Sequence, residues 1–134
     1  LKSVVKTRTL RQSAVFKATP HEVYEMLMDS KKHSAFTGTK AKISAKVGGK
    51  FTAYDGDIDG RNVKLVANKL IVQTWRESQW PKNHYSTVTY KLEKNGSGTK
   101  LTFMQKDVPA SFAADISEGW KEYYWSRMKE YLNE

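Results

Sequence analysis

The residue types that could do chemistry are few and scattered. His21, His33 and His84 stand in unrelated segments, which predicts surface or hydrogen-bonding roles rather than a metal centre. Asp55, Asp57 and Asp59 resemble the start of a calcium loop, but that loop closes on a bidentate Glu at its twelfth position, and the twelfth residue from Asp55 is Val66. These acids therefore read as solvated hairpin residues. Glu77, Asp107, Glu118 and Glu122 border apolar segments, and none forms a sequence-defined pair with a histidine or a nucleophile. With no cysteine, the chain has no thiolate metal ligand, thiol nucleophile or disulfide. The Gly-x-Gly-x-x-Gly, Walker, Gly-x-Ser-x-Gly and His-Glu-x-x-His sequences are missing as well. The expectation is a protein that is not an enzyme and carries no metal or cofactor.

Aromatic residues carry the denser signal. Trp120, Tyr123, Tyr124, Trp125, Met128, Tyr131 and Leu132 crowd the closing stretch from Val108 to Leu132, and a helix over Ser117 to Leu132 needs a large apolar surface to cover them. Trp75 lies in LIVQTWRES with the parity of Ile71 rather than Val72; core packing is the expected role, with the buried face of that strand left open. Trp80-Pro81 interrupts the path to the next strand, and such a restricted turn either wedges a loop against the domain or offers rigid contact area to a partner.

The elements that position these residues follow from periodicity. An extended stretch from about Val4 to Phe16 puts Lys6 and Arg8 on one parity, and Val5, Val15 and the threonines between them on the other. Thr19, Pro20 and Glu22 form the N-cap, first position and capping-box acid of a short helix with Val23, Tyr24, Leu27 and Met28 on its apolar stripe. A second short helix is expected at about Ser30 to Phe36. From Lys40 the period becomes two: Ala41, Ile43, Ala45 and Val47 face one way and Lys40, Lys42, Ser44 and Lys46 the other, predicting a half-buried strand with a basic outer face. Gly48-Gly49, Asp55-Gly56, Asp59-Gly60 and Asn95 to Gly98 mark turns or bulges. Strands are expected at about Lys50 to Tyr54, Asn62 to Val66, Leu70 to Ser78, Ser86 to Glu93 and Lys100 to Lys106.

This order predicts an α+β fold: a curved antiparallel sheet of about six or seven strands wrapped on the long terminal helix, with two short helices after the first strand. That is the helix-grip arrangement, with a cleft where helix and sheet diverge. The 134 residues suit one domain, 1–134, with a core of its own. No apolar run approaches the ~20 residues that span a bilayer, and the first residues lack the apolar core of a signal peptide, so a soluble, cytoplasmic protein is expected.

Charge is distributed unevenly. The net charge is +9, and the first fifty residues hold eleven Lys or Arg against three acids, the rest twelve against eleven. Such a field speeds encounter with an acidic partner. It is also compatible with solubility alone, and nucleic acid is the least favoured reading.

The ordered series Gly48-Gly49-Lys50-Phe51, Asp55-Gly56, Gly60, Ile71-Val72, Trp75-Arg76, Trp80-Pro81, Val108-Pro109 and Gly119-Trp120 with Tyr123-Tyr124 resembles the activator of Hsp90 ATPase homologue family (Aha1 carboxy-terminal domain-like). That family lies within the START-related (SRPBCC) helix-grip superfamily. The resemblance implies binding to Hsp90 and stimulation of its ATPase by favouring its closed state, with the ATP chemistry left to Hsp90. It also implies an additional amino-terminal activator domain with no counterpart in this sequence, so full activation is not expected, and the domain either binds Hsp90 weakly or has left that role. Other superfamily members hold small hydrophobic ligands in the cleft. Lys31, Lys32, Lys40, Lys42 and Lys46 with Trp80 and Pro81 are the candidate protein-binding residues, and Phe51, Trp75, Phe103, Trp120 and Tyr124 the candidate cleft walls.

Overall fold

Alternating inward and outward side chains build one continuous sheet. The computed structural model describes residues 5–134, with strands β1 (Thr7–Phe16), β2 (Lys42–Ile43), β3 (Lys50–Ala53), β4 (Ile58–Val66), β5 (Leu70–Glu77), β6 (Ser86–Asn95) and β7 (Gly98–Pro109). The seven strands are ordered β1-β7-β6-β5-β4-β3-β2, every pair antiparallel. A meander thus runs from β2 to β7, and β1 joins it on the far side of β7. Helices α1 (Pro20–Met28) and α2 (Ser30–Thr37) follow β1. The closing helix comprises a 3₁₀ turn (Ala110–Phe112), α3 (Ala113–Trp120), a π-helical turn (Lys121–Trp125) and α4 (Ser126–Tyr131). This is the predicted α+β helix-grip fold, with a curved sheet holding the terminal helix.

Local chemistry sets the entry to each helix. The Thr19 hydroxyl accepts from the Glu22 amide at 3.2 Å while the Glu22 carboxylate accepts from the Thr19 amide at 3.2 Å, completing the expected capping box. Asp29 then ends α1 and caps α2 by accepting from the Lys32 amide at 3.0 Å. Gly38, at φ 76, ends α2 in the left-handed conformation. Two serine hydroxyls tie α2 to the next segment: Ser30 accepts from the Ile43 amide at 2.8 Å, and Ser34 from the Ala41 amide at 2.9 Å.

Two tryptophans pin the terminal helix to the sheet. Trp120 Nε1 donates to Gln105 Oε1 on β7 at 2.8 Å, and Gln105 Nε2 donates to the Ser86 hydroxyl on β6 at 2.9 Å. Trp125 Nε1 donates to Gln12 Oε1 on β1 at 2.7 Å, and Gln12 Nε2 returns a bond to the Ser117 carbonyl at 2.7 Å. Every polar atom drawn into the core by these indoles is matched, so their apolar area is buried without an orphaned N–H. The π turn brings residues five apart into line, and the Trp120 and Trp125 rings stack at 5.6 Å with 23° between planes.

Several expectations need correction. The strand predicted over 40–47 is only Lys42–Ile43, and Ala45 and Val47 are exposed. The Asn62 side chain takes the Ser44 and Lys46 carbonyls at 2.6 and 3.0 Å, bending this segment out of any ladder. In β1 the inward face is Leu10, Gln12, Ala14 and Phe16, and Val15 is exposed. A bulge between Arg8 and Leu10 exchanges the two faces there; Val4 lies outside the described residues. Tyr123 and Tyr131 remain 43% and 45% exposed, because the inward stripe of the terminal helix is Ile116, Trp120, Tyr124, Trp125 and Met128. The open question at β5 is decided for the odd face: Ile71, Gln73 and Trp75 are all buried.

Candidate functional site

A cleft of about 530 Å³ opens where the terminal helix diverges from β3, β4 and β5. Trp75, Trp120 and Tyr124 form its inner wall, Tyr54, Phe112 and Tyr123 its sides, and Asp57, Glu77 and Asp115 bring carboxylates to it. Gly60 stands behind this wall, where a Cβ would collide with the Thr74 carbonyl and the Phe51 ring, so β4 approaches β5 only with glycine at this position. Tyr54, Asp55 and Gly56 are three successive left-handed residues, at φ 49, 56 and 89, that turn β3 into β4 and aim Tyr54 at the helix. There the Tyr54 hydroxyl donates to the Tyr123 carbonyl at 2.8 Å.

Of the five expected wall residues, Trp75, Trp120 and Tyr124 line the cleft, while Phe51 and Phe103 do not. Phe103 is fully buried against Trp120, ring centroids 4.4 Å apart, and fills the core beneath the wall. Phe51 packs behind Gly60.

Asp55 and Asp57 are exposed in the β3–β4 turn, as expected of solvated hairpin residues, whereas Asp59 is half-buried on β4. Asp57 accepts from the Ser78 hydroxyl, and Asp59 accepts from the Tyr85 hydroxyl at 2.6 Å and stands 4.0 Å from Arg76. Burial pushes the Glu77 carboxyl above its ordinary pKa, with Asp57 and Asp115 adding repulsion. Sequence distance hid this meeting: the three acids come from the β3–β4 turn, the end of β5 and α3. Among the described residues, no group of three or more His, Asp or Glu could hold a metal ion.

The histidines are engaged structurally. His33 is buried with Nδ1 at 3.3 Å from the Leu27 carbonyl and Nε2 at 3.0 Å from the Tyr124 hydroxyl. A carbonyl can only accept, so Nδ1 carries the proton, and Nε2 accepts from Tyr124. Burial lowers the His33 pKa to about 4, against the opposing pull of its bond to Leu27. His84 Nε2 donates to the Asp107 carbonyl at 2.8 Å, and His21 pairs with Asn68 at 3.0 Å.

Lys31, Lys32, Lys40, Lys42 and Lys46 are all exposed, and among the described residues none of them forms an ion pair. Through Ser30 and Ser34, α2 and residues 41–43 are neighbours, so these lysines occupy adjoining segments. Trp80 is 3% exposed, which corrects its expected availability to a partner. Its ring packs on Trp75 at 5.4 Å and Phe112 at 6.4 Å, and Arg76 donates to its carbonyl at 2.8 Å. Pro81 and Lys82 are exposed in this loop, as are Gln79 and Asn83.

A curved antiparallel sheet gripping a terminal helix over an aromatic cleft defines the helix-grip class of domain. Residues 17–133 match the family described as activator of Hsp90 ATPase homolog 1-like protein, and the chain belongs to that family. It is 34% identical over 123 residues to the activator of 90 kDa heat shock protein ATPase homolog 1 of Homo sapiens, covering 91% of this chain and 36% of that protein. The chain therefore spans about a third of the length of the curated relatives it matches. An HSP90 activator from Plasmodium falciparum shares the fold at TM-score 0.89 and 22% identity, covering 93% of this chain and 96% of that one. The Aha1 dimer from Colwellia psychrerythraea shares it at TM-score 0.77 and 17% identity, covering 91% and 94%.

Proposed function

We propose that this domain is a co-chaperone-like module that binds an Hsp90-type chaperone and modulates its ATPase by favouring the closed state, without being an enzyme itself. The observation that carries the reading is the family match over residues 17–133. The exposed lysines of α2 and residues 40–46 support it physically, because unpaired surface cations attract an acidic partner over a Debye length of about 8 Å at physiological salt. Pro81 supplies contact area on a separate loop, packed at the start of the terminal helix, and Trp80 holds that loop rigid from within. The domain, 1–134, works in this reading as one binding unit in the cytoplasm. The test is titration of the purified domain into Hsp90 from the same organism, with ATP and at two salt concentrations. Salt-sensitive binding is expected, with or without stimulation of ATP turnover; no binding and no change in turnover would refute it.

A second reading is favoured by the cleft itself. At about 530 Å³ with aromatic walls, it falls in the range that holds small ligands and supports a carrier or sensor of a small hydrophobic molecule.

A further inference from the structure

The cleft is aromatic and its charge is one-sided. Its lining includes Asp57, Glu77 and Asp115 but no Lys, Arg or His, in a chain whose net charge is +9. The nearby arginines are committed elsewhere. Arg76 donates to the Trp80 and Pro81 carbonyls at 2.8 and 3.2 Å and faces Asp59. Arg127 donates to the Thr37 carbonyl at 3.1 Å with its guanidinium 5.4 Å from the Tyr123 ring centre. Among the described residues, the carboxylates of Glu77 and Asp115 accept no hydrogen bond and form no ion pair. Negative potential is thus left without a counter-charge beside rings whose π-faces attract cations.

Resting on the reading that the cleft takes a small apolar molecule, we propose that its ligand is an organic cation: a flat apolar body against the accessible rings of Tyr54, Phe112 and Tyr123, above the buried Trp75 and Trp120, with an ammonium group facing Glu77 and Asp115. Such a molecule satisfies both halves of the lining. Its apolar body covers the accessible parts of Tyr54, Phe112 and Tyr123, and its charge relieves the repulsion among the three carboxylates. The same repulsion is what raises the Glu77 carboxyl beyond the effect of burial alone. An anionic amphiphile of equal size meets the opposite field and is excluded.

Three probes sharing one ring system separate charge from shape: 2-(1-naphthyl)ethylamine, 2-(1-naphthyl)ethanol and 1-naphthaleneacetate. They would be titrated into the full chain at pH 7, following heat and the indole N–H resonances of Trp75 and Trp120. The amine is expected to bind about tenfold more tightly than the alcohol, and the acetate most weakly. Glu77→Gln combined with Asp115→Asn should bring the amine to the affinity of the alcohol while leaving the alcohol unchanged; either single substitution should give an intermediate value. Equal binding of amine and alcohol, or preference for the acetate, would overturn the charge assignment and leave the apolar-ligand reading standing. Failure of all three probes to bind would overturn both.

Discussion

His33 is packed between Phe36 and Tyr124, ring centres 4.9 and 5.4 Å away, and it stays neutral because nothing in that space balances a charge. Its folded pKa, about 4, lies below its ordinary value of 6.5, so between those values the unfolded chain binds the proton more readily than the native one. The sign follows by linkage: this contribution, about 3 kcal/mol, is fully present above pH 6.5, declines as pH falls, and is lost once pH drops below the folded pKa. His33→Gln should flatten the loss between pH 6.5 and 4.5 relative to the parent, read as the difference between urea unfolding curves; parallel pH profiles would exclude this role. Trp120 combines ring contacts to Phe103, Trp75 and Tyr124 with its bond to Gln105. Replacing it with Ala should cost about 3–5 kcal/mol in the same assay, the range for a buried large aromatic.

At the scale of elements, buried polar contacts hold what strand pairing leaves loose. Asn62, 2% exposed on β4, donates to the Ser44 and Lys46 carbonyls and accepts from Gln73 Nε2 of β5 at 3.0 Å. Without it the 44–47 stretch, which carries Lys46, has lost two side-chain anchors. Asn62→Ala should cost about 1–3 kcal/mol and speed amide exchange in residues 44–50, while the β6–β7 ladder keeps its protection. Unchanged exchange there would mean that the backbone bonds from Gly48 and to Gly49 suffice. In the terminal helix the π turn has a comparable effect: it admits Trp125 to the inward stripe beside Trp120 and Tyr124, which a regular α pitch would rotate outward.

Across the whole molecule, polarity is separated by region. Exposed lysines occupy α2 and residues 40–46, while the cleft between sheet and terminal helix gathers carboxylates and rings. The two surfaces can therefore be altered independently. Changing Lys31, Lys32 and Lys42 together to Glu should leave folding stability within about 0.5 kcal/mol per site, because these side chains are exposed and unpaired. On the proposed co-chaperone reading, the same variant should associate with Hsp90 more slowly in stopped-flow mixing and lose most of the salt dependence of the rate. An unaltered rate would place the docking surface elsewhere on the domain.

Local pattern determined much of this protein by itself. The capping box at Thr19 and Glu22, the turn at Asn95 to Gly98, the alternation from β3 to β7 and the aromatic terminal helix each depend on neighbours within a few residues, so they were legible in sequence and together implied the helix-grip fold. Tertiary structure decided what depends on register and distance. A bulge at Arg8 to Leu10 chose the inward face of β1, Asn62 bent the chain after β2, and burial closed Trp80 to any partner while leaving Tyr123 and Tyr131 exposed. Phe103 went beneath the cleft wall rather than into it, because its neighbour Trp120 occupies that surface. Asp57, Glu77 and Asp115 met only because the β3–β4 turn, the end of β5 and α3 converge, a proximity that no spacing along the chain encodes.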